Sequence, residues 1–170
     1  MTLVTEINKA SPDSFELIFP MIPRGESTDD MATNEELILN IHSTVVPGLS
    51  LDPVEQTWQG SKTQTATGKV TYDQWSFQFM VDEQFNNWKL LFQWIKYINN
   101  SKTRYARKEE LYKIDASMRV LDNFKAEIMR LHFISVWPVS LGEVSLSYRD
   151  AEINLDCSAT LIYDRIEIET

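Results

Sequence analysis

The sequence predicts a mainly β chain with one helix, an antiparallel β-sandwich or barrel packed against an α-helix at about residues 83–99. Three observations carry this. Several short segments alternate apolar and polar residues with a period of two, the mark of half-buried strands. One segment, "EQFNNWKLLFQWIKYINN", changes to helical spacing, with Phe85, Trp88, Phe92, Ile95 and Ile98 in register. The chain has 170 residues, 43% hydrophobic and 24% charged, which suits one domain over residues 1–170 with a core that needs no staples.

In order along the chain, Phe15, Leu17 and Phe19 alternate with Ser14, Glu16 and Ile18 and predict a strand. The proline-bearing stretch over about 20–34 predicts a long loop. "EELILNIHSTVVPG" contains Leu37, Leu39, Ile41 and the run Thr44-Val45-Val46, which favour a strand ending at Pro47-Gly48. From about 51 to 68 the composition turns to Gln, Thr, Ser and Gly around Trp58, an extended arm or hairpin with partners elsewhere. Trp75, Phe77, Phe79 and Val81 then form one strand face, opposite Ser76, Gln78 and Met80, and Asp82 is a plausible helix N-cap.

After the helix comes a basic run, Lys102, Arg104, Arg107 and Lys108, which in an acidic chain suits an acidic patch on a second copy or a partner. The helix stripe from Phe85 to Ile98 reads as core, with Trp94 and Tyr97 off it on a second buried surface. "IDASMRVL" and "KAEIMRLHFISVW" predict two strands joined tightly through Asp122-Asn123. Trp137-Pro138 ends the second, and after Gly142 a new strand alternates Val144, Leu146 and Tyr148 with Ser145, Ser147 and Arg149. In the last long strand Ile153, Leu155, Cys157, Ala159 and Leu161 alternate with Asn154, Asp156, Ser158 and Thr160. The parity slips at Ile162-Tyr163-Asp164, which places "RIEIE" after a bulge or on an edge.

Charge excludes some functions. A net charge of −9 and 25 Asp and Glu against 16 Lys and Arg give no basic footprint for tight nucleic-acid binding. One cysteine, Cys157, forms no internal disulfide; the N-terminus shows no secretory pattern, and no stretch reaches the ~20 apolar residues of a membrane span. His42 and His132 stand apart, without the convergent ligands of a metal site. Two fragments, Gly60-Ser61-Lys62-Thr63 and Gly68-Lys69-Val70, fail as phosphate loops at Ser61 and Val70. Asp73 suits a turn better than an acid catalyst, and no catalytic, cofactor-binding or metal site is expected.

The polar strand faces collect small hydroxyls, amides and a carboxylate, with one cation, Arg149, where a solvent-facing sheet usually mixes Lys and Glu. Such a face suits a constrained aqueous space such as a channel wall. With that face in view, "VWPVSLGEVSLSY" and "CSATLIYDRIEI" resemble the tail tube protein of contractile-tailed bacteriophages. "VTYDQWSFQFMVDEQFNNWKLLFQWI" and "VVPGLSL" extend the resemblance in the same order over roughly Glu35 to Ile168.

The resemblance implies the phage tail tube fold and stacked hexameric rings forming the tail's inner tube, the conduit for DNA ejection. It implies Ser76, Gln78, Ser145, Ser147, Asn154, Asp156, Ser158 and Thr160 on the lumen wall, and ring-to-ring contacts through Gln56, Thr57, Trp58, Gln59, Lys62 and Gln64. Implied partners are further copies, the tail sheath protein, baseplate and tail terminator proteins, and a tape measure protein in the lumen, with DNA passing unbound and no membrane. The implied location is the virion tail, assembled in the host cytoplasm. The main tube subunit is the favoured expectation. A tube initiator at the baseplate and the tube of a phage-like contractile injection system are alternatives, and a small-molecule-binding β-barrel is a remote one.

Overall fold

The computed structural model describes residues 14–20, 22–23, 37–38, 40–58, 60–99, 112–148 and 154–169. The basic run at 102–108, most of the 20–34 loop, Leu39, Gln59, Arg149 and Ile153 lie outside them.

Among the described residues, nine strands and one long helix follow the expected class. They are β1 (Phe15–Ile18), β2 (Ile41–Thr44), β3 (Leu49–Trp58), β4 (Ser61–Tyr72), β5 (Trp75–Met80), α1 (Asn86–Asn99), β6 (Ile114–Leu121), β7 (Glu127–Leu141), β8 (Asp156–Ile162) and β9 (Arg165–Glu169). Seven strands run β1-β6-β7-β8-β5-β2 with β9 also on β7, while β3 and β4 form a separate two-stranded sheet. Every pairing is antiparallel.

The long strand β7 belongs to both halves of the sandwich. Its first part pairs with β6 and, from Arg130 to Ile134, with β9; its last part, from Trp137 to Leu141, pairs with β8. Between them Ser135 has φ 61° and its N–H donates to Asp115 Oδ1 at 2.9 Å. The neighbouring chain breaks at the same level, where Tyr163-Asp164 separates β8 from β9 and the Asp164 N–H donates to the Ile134 carbonyl. Both strands therefore turn one corner together. The strand expected to end at Trp137-Pro138 continues instead to Leu141; Pro138 is tolerated because this part of β7 is an edge with a register shift beside it.

The corner folds one sheet over the other and buries an aromatic stack. Phe133 of β7 lies flat on Trp75 of β5, with centroids 4.1 Å apart at 4°; Phe19 stacks on the far side of Trp75 at 5.6 Å. Leu17, Met118 and Leu131 join from the first sheet, and Phe77, Phe79, Cys157 and Leu161 from the second. Ile22, from the stretch expected to be only loop, is also core.

Other expectations shift for local reasons. Leu37 and Ile38 form a helical turn, so the predicted strand over Leu37–Val46 shrinks to β2; Leu37 is fully buried from that turn. The helix begins at Asn86, after Phe85 at φ 59°, rather than at 83. Asp82 still caps it: Asn87 N–H donates to Asp82 Oδ1, and Asp82 N–H donates to Asn87 Oδ1. Asn87 is fully buried and its side-chain amide also donates to the Met80 carbonyl at 2.7 Å. The buried stripe is Asn87, Leu90, Leu91 and Trp94, one step around the helix from the expected Phe85, Trp88, Phe92, Ile95 and Ile98; of these only Phe85, Trp88 and Ile98 pack partly on the core. Trp94, expected off the stripe, is at its centre. In the β6–β7 turn Asp122 organises the loop through its side chain, but the positive φ, 63°, falls on Lys125 rather than Asn123.

The left-handed backbone at Ser135 gives a direct test. Ser135→Val, β-branched at positive φ, is expected to lower stability by about 1–2 kcal/mol, whereas Ser135→Gly should match or exceed the wild type. Urea unfolding midpoints check this, and equal midpoints for all three proteins would remove the bend as a point of strain.

Candidate interface: a polar sheet face with two open edges

The second sheet presents two chemically opposite faces because its strands alternate in step. Inside, Trp75 pairs with Leu161, Phe77 with Ala159 and Phe79 with Cys157; outside, Ser76 pairs with Thr160, Gln78 with Ser158 and Met80 with Asp156. Five of the residues expected on a lumen wall, Ser76, Gln78, Asp156, Ser158 and Thr160, thus share one outward face. β2 adds Ser43 opposite Gln78, and β7 adds Ser140 opposite Thr160. The sequence pattern did not single these out, although Ser43 lies in a polar stretch of β2.

The remaining three expected residues differ. Ser145 and Ser147 are exposed in the segment 142–148, whose Val144 packs partly on the core and which pairs with nothing regular among the described residues, so the strand predicted over Val144–Arg149 is absent there; Asn154 precedes β8. These three, with Leu146, Tyr148, Leu155 and Asp156, line an open cleft of about 620 Å³. The cleft is outside the core, whose interior is filled by the aromatic stack.

Asp156 is the face's carboxylate, and His42 Nε2 stands 3.3 Å from its Oδ1. No Lys or Arg lies on this face among the described residues. The first sheet is the opposite: Arg119 links Glu16 at 2.7 Å to Glu127 at 2.6 Å, and Glu127 also receives Arg130 at 2.8 Å. Hydrogen bonds from Arg130 and then Arg119 hold the Glu127 carboxyl below its ordinary range. His132 bridges Ser117 and Glu169 on the same face. Both histidines are therefore surface polar residues.

Close approach holds the face to its open end. The Gly142 N–H donates to the Ser158 carbonyl at 2.6 Å, and a Cβ on Gly142 would stand 2.5 Å from Ser158 Oγ and 3.0 Å from its carbonyl oxygen. At the corner, the Tyr163 hydroxyl donates to the Asp73 carbonyl at 2.8 Å. That bond ties the end of β8 to the link between β4 and β5, and Asp73 serves the turn. Burial first, then the nearby Asp73 charge, push the Tyr163 phenol up to about 12.

Among the described residues the sheet is open on both sides: β2 pairs only with β5, and the Trp137–Leu141 part of β7 pairs only with β8. Val45 and Val46 flank one edge; Val139, Leu146 and Tyr148 flank the other, and all are exposed. Edges without lysine guards invite another chain. The segment expected as an extended arm or hairpin with partners elsewhere is a hairpin whose strands β3 and β4 pair with each other: Glu55 opposes Gln64, Gln56 opposes Thr63, Thr57 opposes Lys62 and Trp58 opposes Ser61. Its described residues are almost all exposed, so Gln56, Thr57, Lys62 and Gln64 stand toward its free end.

The described residues thus form an antiparallel sandwich with one polar sheet face and an exposed hairpin. Residues 10–169 match the phage tail tube protein family, and the chain belongs to that family. It is 29% identical over 143 residues to the tail tube terminator protein of Enterobacteria phage T4, spanning 81% of each chain. Among solved structures, a chain of the PVC extracellular contractile injection system sheath/tube terminator in the extended state superposes with TM-score 0.67 at 15% identity, covering 97% of this chain and 100% of that one. A chain of the anti-feeding prophage tube-terminating cap gives 0.66 at 15% identity, covering 100% and 99%. These structures share the fold.

Two tests follow. Gly142→Val should shift β7 away from β8 and cost about 1–3 kcal/mol, read by chemical denaturation; an unchanged midpoint would show that the approach is not needed. For Tyr163 the folded value lies above the ordinary tyrosine value of 10, so its contribution is complete below about 10 and is lost as pH rises through about 12. Tyr163→Phe should cost about 1 kcal/mol at neutral pH and lose less stability than wild type across that alkaline window in melting curves.

Proposed function

We propose that this chain forms a ring that closes the end of a contractile tail's inner tube, with its second sheet lining the passage. The observation that carries the choice of terminator over main subunit is the 29% identity to the T4 tail tube terminator over 81% of both chains. The main-subunit expectation is the second reading, and the shared fold is compatible with either.

The geometry supports ring formation. Pairing the edge of β2 with the Trp137–Leu141 edge of the next copy, or with the 142–148 segment beyond it, would extend the sheet at edges that have no strand partner among the described residues. Such a contact joins two different surfaces and closes by rotation into a ring. Ser145 and Ser147 then reach the wall through assembly, not through the single chain. The hairpin tip, with Gln56, Thr57, Lys62 and Gln64, contacts the adjoining tube ring.

The wall needs no catalysis; it needs a surface that DNA does not hold. The polar face meets this need by carrying no Lys or Arg among its described residues, since phosphate attraction depends on Lys and Arg. Asp156 contributes its carboxylate beside His42, so the chain's −9 net charge resides largely elsewhere. The other partners in this reading are the tail sheath and the neighbouring tube, with DNA passing unbound.

Negative-stain electron microscopy of the purified chain, alone and with preformed tail tubes, tests this. Isolated rings that cap tube ends are expected. Long tubes from the chain alone would replace the terminator reading with the main subunit, and persistent monomers that ignore tube ends would refute both. Asp156→Lys with Ser158→Lys should leave folding intact and reduce infectivity of phage carrying them; full infectivity would move the wall to another face.

A further inference from the structure

The outward side of α1 carries a feature that the core uses only in part, through Trp88. From Gln84 to Lys108 the chain contains six Lys and Arg and no Asp or Glu, leaving ten cations against all 25 carboxylates elsewhere. Two of the six, Lys89 and Lys96, are exposed on the helix. Between them Trp88 stacks on Phe92 at 5.0 Å and 14°, Phe92 is 39% exposed, and Lys96 Nζ stands 5.5 Å from the Phe92 ring centre. Lys89 Nζ donates to the Gln84 carbonyl at 3.0 Å.

The core accounts for only part of this stripe: Trp88 packs partly on it, while Lys89, Phe92 and Lys96 are exposed. α1 buries Asn87, Leu90, Leu91 and Trp94 instead, and a helix without a carboxylate offers its lysines no partner one turn away. An ordered, part-exposed aromatic pair flanked by cations has the composition of a protein contact. The charge it calls for is in excess on the rest of the same chain.

We propose that Trp88, Lys89, Phe92 and Lys96 form a contact surface for a carboxylate-bearing face of a second copy of this chain. This rests on the ring reading above: a basic helix face on one copy and an acidic face on the next make a head-to-tail contact of the kind that closes a ring. It adds an electrostatic determinant to the backbone pairing of the open edges.

Sedimentation velocity of the full chain over a concentration and salt series tests it, with circular dichroism melting as the folding control. Wild-type association should weaken from about 50 to about 500 mM salt. Lys89→Glu with Lys96→Glu should weaken it by about tenfold or more at low salt and leave the melting curve in place; Phe92→Ala provides a second, uncharged variant that should also weaken it. If wild type forms rings and both variants form them equally well, this contact is refuted and the ring reading stands. If wild type never associates, the ring reading fails and this contact with it. If the charge variant changes only retention on double-stranded DNA, the stripe is a phosphate-binding surface and the proposal is overturned.

Discussion

The stack of Phe133 on Trp75, 4.1 Å between ring centres, is the contact on which the rest of the architecture depends. The rings come from opposite halves of the sandwich, and one strand, β7, connects those halves through the left-handed residue Ser135. Without the bend the two rings could not meet. Without the stack, little would repay the backbone cost of the bend, which is of the order of 1–2 kcal/mol, whereas burying one large aromatic contributes more. The Trp75 indole N–H donates to Thr44 Oγ1 at 3.0 Å, so the same ring also fixes the far strand β2.

Folding over at that corner separates surfaces by chemistry. The first sheet turns outward an ion-paired ladder of Glu16, Arg119, Glu127 and Arg130, while the second turns outward Ser, Thr, Gln and one carboxylate. Exposed ion pairs add little stability, and their role here is better understood as solubility on a face that stays wet. The second sheet keeps open edges, and the hairpin projects as a two-stranded unit, which is marginal in isolation. Among the described residues the core is filled while the second sheet's edge strands have no outer strand partner.

The helix shows where sequence reasoning loses its hold. Both stripes of α1 are apolar enough to be core, since Trp88 and Phe92 are as hydrophobic as Leu91 and Trp94. The buried polar Asn87 decides the rotation: its side chain bonds Met80 and Asp82 at the end of β5, pulling that side of the helix inward. No periodicity of apolar residues contains that information. The Trp94 N–H bond to the Tyr112 carbonyl at 2.9 Å then anchors the same side to the chain that leads into β6.

What the sequence determined by itself was the face of each strand: Trp75, Phe77 and Phe79 inward with Ser76 and Gln78 outward, and Cys157, Ala159 and Leu161 inward with Ser158 and Thr160 outward. Side-chain alternation is a property of the extended backbone and needs no knowledge of the partner strand. Tertiary structure alone decided where strands end, which side of α1 is buried, and that Ser145 and Ser147 lie outside any strand of the single chain. Those outcomes depend on residues far apart in sequence: β8 extends pairing past Pro138, Asn87 reaches β5, and 142–148 has no regular strand partner among the described residues. The physical reason is that a strand's ends and a helix's rotation are set by the groups available to satisfy them, and those groups are brought near only by the fold.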